Sequence, residues 1–141
     1  PFSWQLDAAL AVLQSKDVII DVGTGSKKSL CFILPLLLNE HDTTLVIIPL
    51  SALMIDQVHS MKLLSVAICR QTLAMTNTET VYKDIVSGKH HMAFISPEIA
   101  KTPEFHSAVL SKAAYHHHLW VVGIDEAHCI SLWSGSFRPD Y

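Results

Sequence analysis

The sequence predicts an α/β domain, a mostly parallel sheet with helices on both faces. Three observations carry that expectation. Short β-branched runs alternate with stretches of helical length. The runs are continuously apolar rather than alternating, as in strands covered on both sides. Polar turns recur directly after them. With 141 residues, 50% hydrophobic and 16% charged, the chain is expected to build one packed core and one domain over residues 1–141.

Taken in order, Val18-Ile19-Ile20 predicts the first strand, followed by a turn and a helix over residues 28–39. Thr44-Leu45-Val46-Ile47-Ile48 predicts the next strand, then a helix over 51–64 with Leu53, Gln57 and Met61 at helical spacing. Val66-Ala67-Ile68 reads as a short strand and 79–87 as a helix. Met92-Ala93-Phe94-Ile95 and Leu119-Trp120-Val121-Val122 are two more strands, with a helix over 104–113 between them. No repeat, low-complexity tract or linker interrupts the pattern.

Composition narrows the function classes. No apolar run reaches the ~20 residues of a membrane helix; residues 30–38 come nearest and are broken by Pro35. A net charge of −3 argues against a surface that is basic all over, while leaving room for a local DNA contact. Cys31, Cys69 and Cys129 are odd in number and set in apolar segments, so reduced buried thiols in an intracellular protein are expected. Pro1 opens neither with an initiator methionine nor a signal peptide, and the sequence is expected to begin inside a longer one.

In doubly wound sheets, ligands sit outside the carboxyl ends of the strands. The turns expected there are Gly23-Thr24-Gly25-Ser26-Lys27-Lys28-Ser29, Pro49-Leu50-Ser51, Ser96-Pro97-Glu98 and Asp125-Glu126-Ala127-His128. The first has the parts of a phosphate loop: backbone N–H groups, Lys28 for the β/γ-phosphates, the Ser29 hydroxyl for Mg²⁺, and a helix N-terminus. Lys27 stands where the second glycine belongs, so a basic turn capping a helix is the competing reading. At the other turn, Asp125 can hold Mg²⁺ and Glu126 can polarise water. Two acids after a strand also serve as a helix N-terminal signal. Together, an early phosphate loop and a later acid pair make the layout of a P-loop NTPase core.

The block Asp125-Glu126-Ala127-His128-Cys129-Ile130-Ser131, with Trp133, Phe137-Arg138-Pro139 and Tyr141, resembles the signature of RecQ helicases, a DEAH box running into an aromatic-rich loop. Residues 17–35 resemble the family's first motif. Pro49-Leu50-Ser51-Ala52-Leu53-Met54-Ile55-Asp56-Gln57-Val58 is similar to the next, and Ser96-Pro97-Glu98 to the S/T-P-E turn. The resemblance implies the first RecA-like lobe of an ATP-dependent 3′-to-5′ DNA helicase, truncated after the aromatic-rich loop and lacking its second lobe. It implies ATP and Mg²⁺ as cofactors, with single-stranded DNA and duplex junctions as partners. Gln5 would read adenine; Thr24, Gly25, Ser26, Lys27, Lys28 and Ser29 would cradle phosphate; Ser29 and Asp125 would hold Mg²⁺. Glu126, Asp125 and Lys28 would be catalytic, and Trp133, Phe137, Arg138 and Ser51 would meet DNA. DNA repair and recombination follow as the cellular setting, in the nucleus if the source is eukaryotic.

Departures from that pattern set the alternatives. Lys27 replaces a glycine, Leu132 a glutamine, and Ser134-Gly135-Ser136 stands in place of Gly-His-Asp; Phe2 stands where arginine is common. A degenerate, non-hydrolysing nucleic-acid-binding or scaffold remnant of a helicase is one rival reading, and a P-loop ATPase unrelated to nucleic acid another. His90-His91 and His116-His117-His118 lack partners at ligand spacing and read as solvated turns. Met54 and Met61 read as core filler, Trp4 as a packing residue, and Cys129 as a small buried one.

Overall fold

The computed structural model describes residues 1–23, 25–39, 41–61 and 64–128. Helix α1 (Ser3–Leu13) leads into an irregular stretch, a short helix α2 (Leu30–Ile33) and a 3₁₀ turn (Leu34–Leu37). Then come β1 (Thr43–Ile47), α3 (Ser51–Ser60), β2 (Ser65–Ile68), α4 (Arg70–Ala74), α5 (Thr78–Val86) and β3 (Met92–Ile95). Two short helices, α6 (Pro97–Ala100) and α7 (Pro103–Phe105), a π-type turn (His106–Leu110) and α8 (Ala113–His118) carry the chain into β4 (Leu119–Ile124).

The four strands form one parallel sheet in the order β2-β3-β1-β4. The period-two geometry of each strand divides the core into two layers. On one face Leu45, Ile68, Ala93 and Ile95 meet Tyr82 and Ile85 of α5, Phe105, Val109 and Tyr115. On the other, Val46, Ile48, Ala67, Met92 and Phe94 meet Leu36 and Met54, with Phe32 and Ile33 packed alongside. Helices therefore cover both faces, as the continuous apolar runs require. Met54 is fully buried, in keeping with its expected place in the core.

Local chemistry explains the boundaries. Gln5, third residue of α1, reaches back so that its Oε1 accepts the Phe2 N–H at 2.8 Å, half of a capping box. At the far end Ser15 turns left-handed (φ +58°), and the N–H groups of Ser15 and Lys16 return to the carbonyls of Val12 and Ala11. That is a Schellman closure without the usual glycine. Asn77 caps α5 by accepting the Thr80 N–H at 3.1 Å.

Some expectations need correction. The strand expected at Val18-Ile19-Ile20 is absent: residues 16–23 join no ladder among the described residues, and Ile19 is 97% exposed. A strand needs a neighbour, and among the described residues the sheet ends at β4. The helix expected over 28–39 contracts to α2 plus the 3₁₀ turn, because Pro35 has no N–H to donate and its ring crowds the preceding turn. The helix expected over 104–113 breaks into α7, the π-type turn and the start of α8. His116, His117 and His118 form the last turn of α8 rather than a loop. Helices α1, α4 and α6 were not foreseen.

Gly123 in β4 faces the ring of Phe32, and a Cβ built there would stand 2.6 Å from Phe32 Cε1. Gly123→Ala should therefore cost about 1–3 kcal/mol by overpacking, recovered in large part by adding Phe32→Leu. Denaturant melts of the four-member cycle check this. Tyr115 is fully buried, its hydroxyl has no hydrogen-bond partner among the described residues, and burial pushes its phenol well above the usual range. Tyr115→Phe should leave stability unchanged or raise it by about 1 kcal/mol, since an unmet buried hydroxyl is a cost. A clear loss of stability on melting would show that the hydroxyl is bonded.

Candidate functional site

Parallel strands bring their carboxyl ends to one side, so the turns after β1, β3 and β4 open together. Ser51 there begins α3 and is half-buried. Ser96, 2% exposed, caps α6 by accepting the Ile99 N–H. The third turn holds the acid pair. The Asp125 N–H donates to Ile47 O at 3.0 Å, carrying the β1–β4 ladder one residue past β4. Asp125 is 8% exposed, and its Oδ1 accepts the Glu126 N–H at 2.9 Å. Glu126 itself adopts φ +54°, and its carboxylate lies 3.2 Å from Nδ1 of His128.

The glycine-containing loop reaches the same region from α1. Gly25 (φ +81°) and Lys27 (φ +54°) both take the left-handed conformation. Glycine accepts that geometry freely, whereas Lys27 bears a cost of roughly 1–2 kcal/mol. Ser26 Oγ donates to Gly23 O at 2.7 Å, and Lys28 Nζ lies 3.5 Å from Val22 O. The loop enters α2 through hydrogen bonds from Cys31 to Lys28 and from Phe32 to Ser29. Ser29 is the residue preceding α2. Behind the loop, Gln5 is fully buried, and its Nε2 donates to Ser26 O and Lys27 O, both at 3.1 Å.

A cavity of about 820 Å³ lies between residues 15–22 and β4. Lys28 shares its wall with Asp125, Glu126 and His128, and with Asp17 and Asp21. The expected phosphate-binding amine and the expected acid pair are thus brought to one space. Gln5, Gly25, Ser26, Lys27, Ser29 and Ser51 are not among its wall residues. Thr24, Trp133, Phe137 and Arg138 lie outside the described residues, as do Cys129 and Tyr141. Asp17, Asp21 and Phe32 line the cavity without having been singled out; the first two stand just before the loop, which was the one available signal. Among the described residues no three His, Cys, Asp or Glu side chains gather as a metal site, and no helix is long and apolar enough to cross a membrane. Cys31 and Cys69 are buried free thiols, and burial raises the pKa of Cys31.

Comparison with known proteins gives this geometry its context. The family model described as DEAD/DEAH box helicase matches residues 2–141. ATP-dependent helicase SGS1 of Saccharomyces cerevisiae is 35% identical over 142 residues, covering 97% of this chain and 10% of the yeast protein. ATP-dependent DNA helicase RecQ of Pasteurella multocida is 36% identical, covering 93% of this chain and 20% of its own length. ATP-dependent DNA helicase Q1 of Rattus norvegicus is 35% identical, with 97% and 22% covered. The chain thus spans between 10% and 22% of the length of these relatives. In structure it is similar to DUF1998 helicase MrfA, solved with DNA and AMPPNP, at a TM-score of 0.65 and 20% identity over 90% of this chain and 19% of that one. That likeness shows a shared RecA-like α/β fold. A sheet ending in an acid pair, a basic loop facing it, and a family match running almost from end to end place this chain in the DEAD/DEAH box helicase family.

Proposed function

We propose that this chain is the ATP-binding lobe of a RecQ-type DNA helicase, which in the longer protein couples ATP hydrolysis to 3′-to-5′ unwinding. The observation that supports it most is the shared cavity, which Lys28, Asp125 and Glu126 line together. The donor chemistry fits Mg²⁺ and a polyphosphate. Carboxylate and hydroxyl oxygens are the hard ligands Mg²⁺ prefers, and an ammonium with several backbone N–H groups suits phosphate. At Gly25 the space a Cβ would occupy is open, so phosphate oxygens can come close to the backbone.

When bound, the nucleotide supplies the phosphoryl group and Mg²⁺ neutralises its charge. The residues divide the remaining work. Lys28 would exchange its long contact with Val22 O for phosphate, and Ser29 and Asp125 would hold the metal. Glu126 would orient the attacking water, with His128, whose Nδ1 lies 3.2 Å from it, steadying that carboxylate. Gln5 would read adenine by exchanging its bonds to the loop carbonyls. Thr24 and Ser26 complete the phosphate cradle. Single-stranded DNA and duplex junctions would meet Ser51 and the loop bearing Trp133, Phe137 and Arg138, where aromatic stacking contributes about 1–3 kcal/mol per base. A second RecA-like lobe would close over the nucleotide. Repair or recombination inside the cell, in the nucleus of a eukaryote, is the setting this reading favours.

Titration calorimetry with Mg-ATP tests the reading. Lys28→Ala should reduce affinity at least tenfold, since charge-assisted hydrogen bonds contribute about 1.5–3 kcal/mol each. Lys27→Gly should bind Mg-ATP more tightly than the wild type and melt higher by roughly 1 kcal/mol, because it relieves the left-handed lysine. Absence of binding by both wild type and Lys27→Gly, alongside retained binding of single-stranded DNA, would point instead to a non-hydrolysing remnant. In the DNA arm, Trp133→Ala should weaken single-stranded binding by about 1–3 kcal/mol. Unchanged affinity would make Trp133 a packing residue.

A further inference from the structure

The amino end of the sheet, opposite the acid pair, is stitched together through histidines. The His90 carbonyl accepts the hydroxyl of Thr43, the fully buried first residue of β1, at 3.0 Å. The His91 carbonyl accepts the Thr44 N–H at 2.9 Å, and the His91 N–H donates to Leu64 O at 2.8 Å. Residues 90 and 91 thus join the entry of β3 to the start of β1 and to the residue before β2. From α8, the His118 ring lies so close to Gly88 that a Cβ there would stand 3.0 Å from its Cγ. Its Nδ1 is 3.1 Å from His41 O, in the turn before β1.

His90-His91 has the composition of a solvated turn, yet Nδ1 of His90 is closed off from solvent and has no hydrogen-bond partner among the described residues. That geometry sets the charge of the ring. A neutral imidazole can carry its one proton on Nε2 and leave Nδ1 as a bare acceptor. A protonated ring must place an N–H at Nδ1, buried, charged and without an acceptor, which is the costlier state. The groups around it do not reverse this. Asp84 of α5 favours the cation, but its carboxylate is held 2.6 Å from Lys89 Nζ, and Lys89 and His91 both oppose the charge. In the turn before β1, Asp42 is engaged by the Asn39 amide at 2.8 Å. From α8 the nearest group is another imidazole, His118, set against Gly88. Burial is the largest influence on His90 and holds its pKa below the ordinary histidine value.

We infer that His90 is an acid-sensitive latch at the amino end of the sheet: while its ring is neutral, residues 88–91 stay docked on β1, and a proton on the ring releases them. The latch stands on the bonds at that end of the sheet and does not depend on nucleotide binding. Its sign follows from where the proton goes. The docked state keeps the ring neutral, whereas a released or unfolded segment titrates near the ordinary value of about 6.5. The stabilisation is complete above that value and is lost as pH falls through it, because the released state then takes up the proton. Release frees the Thr43 hydroxyl and the Thr44 N–H. The other end of β1 keeps its bonds, from the Ile48 N–H to Ile95 O and from the Asp125 N–H to Ile47 O. Acid therefore loosens β1 from the end away from the acid pair.

Hydrogen–deuterium exchange of the 141-residue chain, followed by NMR from about pH 7.5 to about pH 5.5, tests this. The Ile48 amide in the same sample is the reference, so the intrinsic pH dependence of exchange cancels. The ratio of Thr44 to Ile48 exchange should rise about tenfold across that range. It should stay flat in His90→Phe, whose ring fills similar space and carries no charge. A flat ratio in the wild type would overturn the latch. So would an equal rise in His90→Phe, or a rise that His118→Phe removes and His90→Phe does not. If His90→Phe does not fold, NMR titration of the wild-type imidazoles decides. A His90 midpoint below about 6.5 supports the latch, and one at or above that value overturns it.

Discussion

Enclosure of β1 dictates where this chain can put its charges. The strand lies between β3 and β4, and Thr43, Thr44, Leu45 and Val46 are all buried. An ionised side chain within such a strand would lose its hydration with no adequate return. The two threonines there are satisfied locally, Thr43 on His90 O at 3.0 Å and Thr44 on Phe32 O at 3.5 Å. Ionisable chemistry is displaced to the turns. The hydrogen bond from Asp125 to Ile47 O then transmits the position of β1 to the acid pair, so packing at the centre of the sheet sets the placement of a carboxylate at its end.

Backbone strain gathers at the glycine-containing loop and at the acid pair. Three non-glycine residues adopt positive φ among the described residues, and two of them, Lys27 and Glu126, belong to the loop and the acid pair. Each carries a cost of roughly 1–2 kcal/mol, which persists only where surrounding bonds over-determine the conformation. At Glu126 the Asp125 carboxylate accepts its N–H and His128 meets its side chain. The third, Ser15, merely ends a helix. Strain at a helix end has a complete local explanation in the hydrogen bonds that close the helix; strain at the loop and the acid pair is held by the bonds around them.

Much of this was legible in the sequence, because period and turn chemistry are local signals. The strands at Thr44, Val66, Met92 and Leu119 follow from β-branched runs, and the acid pair from its place after the last of them. Lys27 showed itself as a residue where glycine belongs, and its φ bears out the conflict. What stayed hidden was relational. Val18-Ile19-Ile20 has strand composition, yet a strand exists only with a neighbour, and composition cannot say whether one is present. Pro35 is visible in the sequence, but that the helix before it contracts to one turn is settled only by the packing around it. The contact between Gly123 and Phe32 joins residues 91 positions apart by their numbers, and no period reveals it. Residues 129–141 carry the most specific part of the resemblance and lie outside the described residues.

Gln5 shows how such long-range relations acquire energetic weight. Its Oε1 closes the start of α1, while its Nε2 holds the carbonyls of Ser26 and Lys27. A neutral hydrogen bond contributes about 0.5–1.5 kcal/mol, so the two to the loop together are of the same size as the left-handed cost at Lys27. The strained residue and its offset therefore share a partner. Removing the Gln5 amide would leave two buried-side carbonyls unmet and the Lys27 backbone free to relax, and the loop would lose its shape by a local change. Conversely, any group that competes for that amide acts on Lys27 through the carbonyls it releases. The geometry of the loop is thus set from α1, more than twenty residues away in sequence, and not by the glycines within it alone.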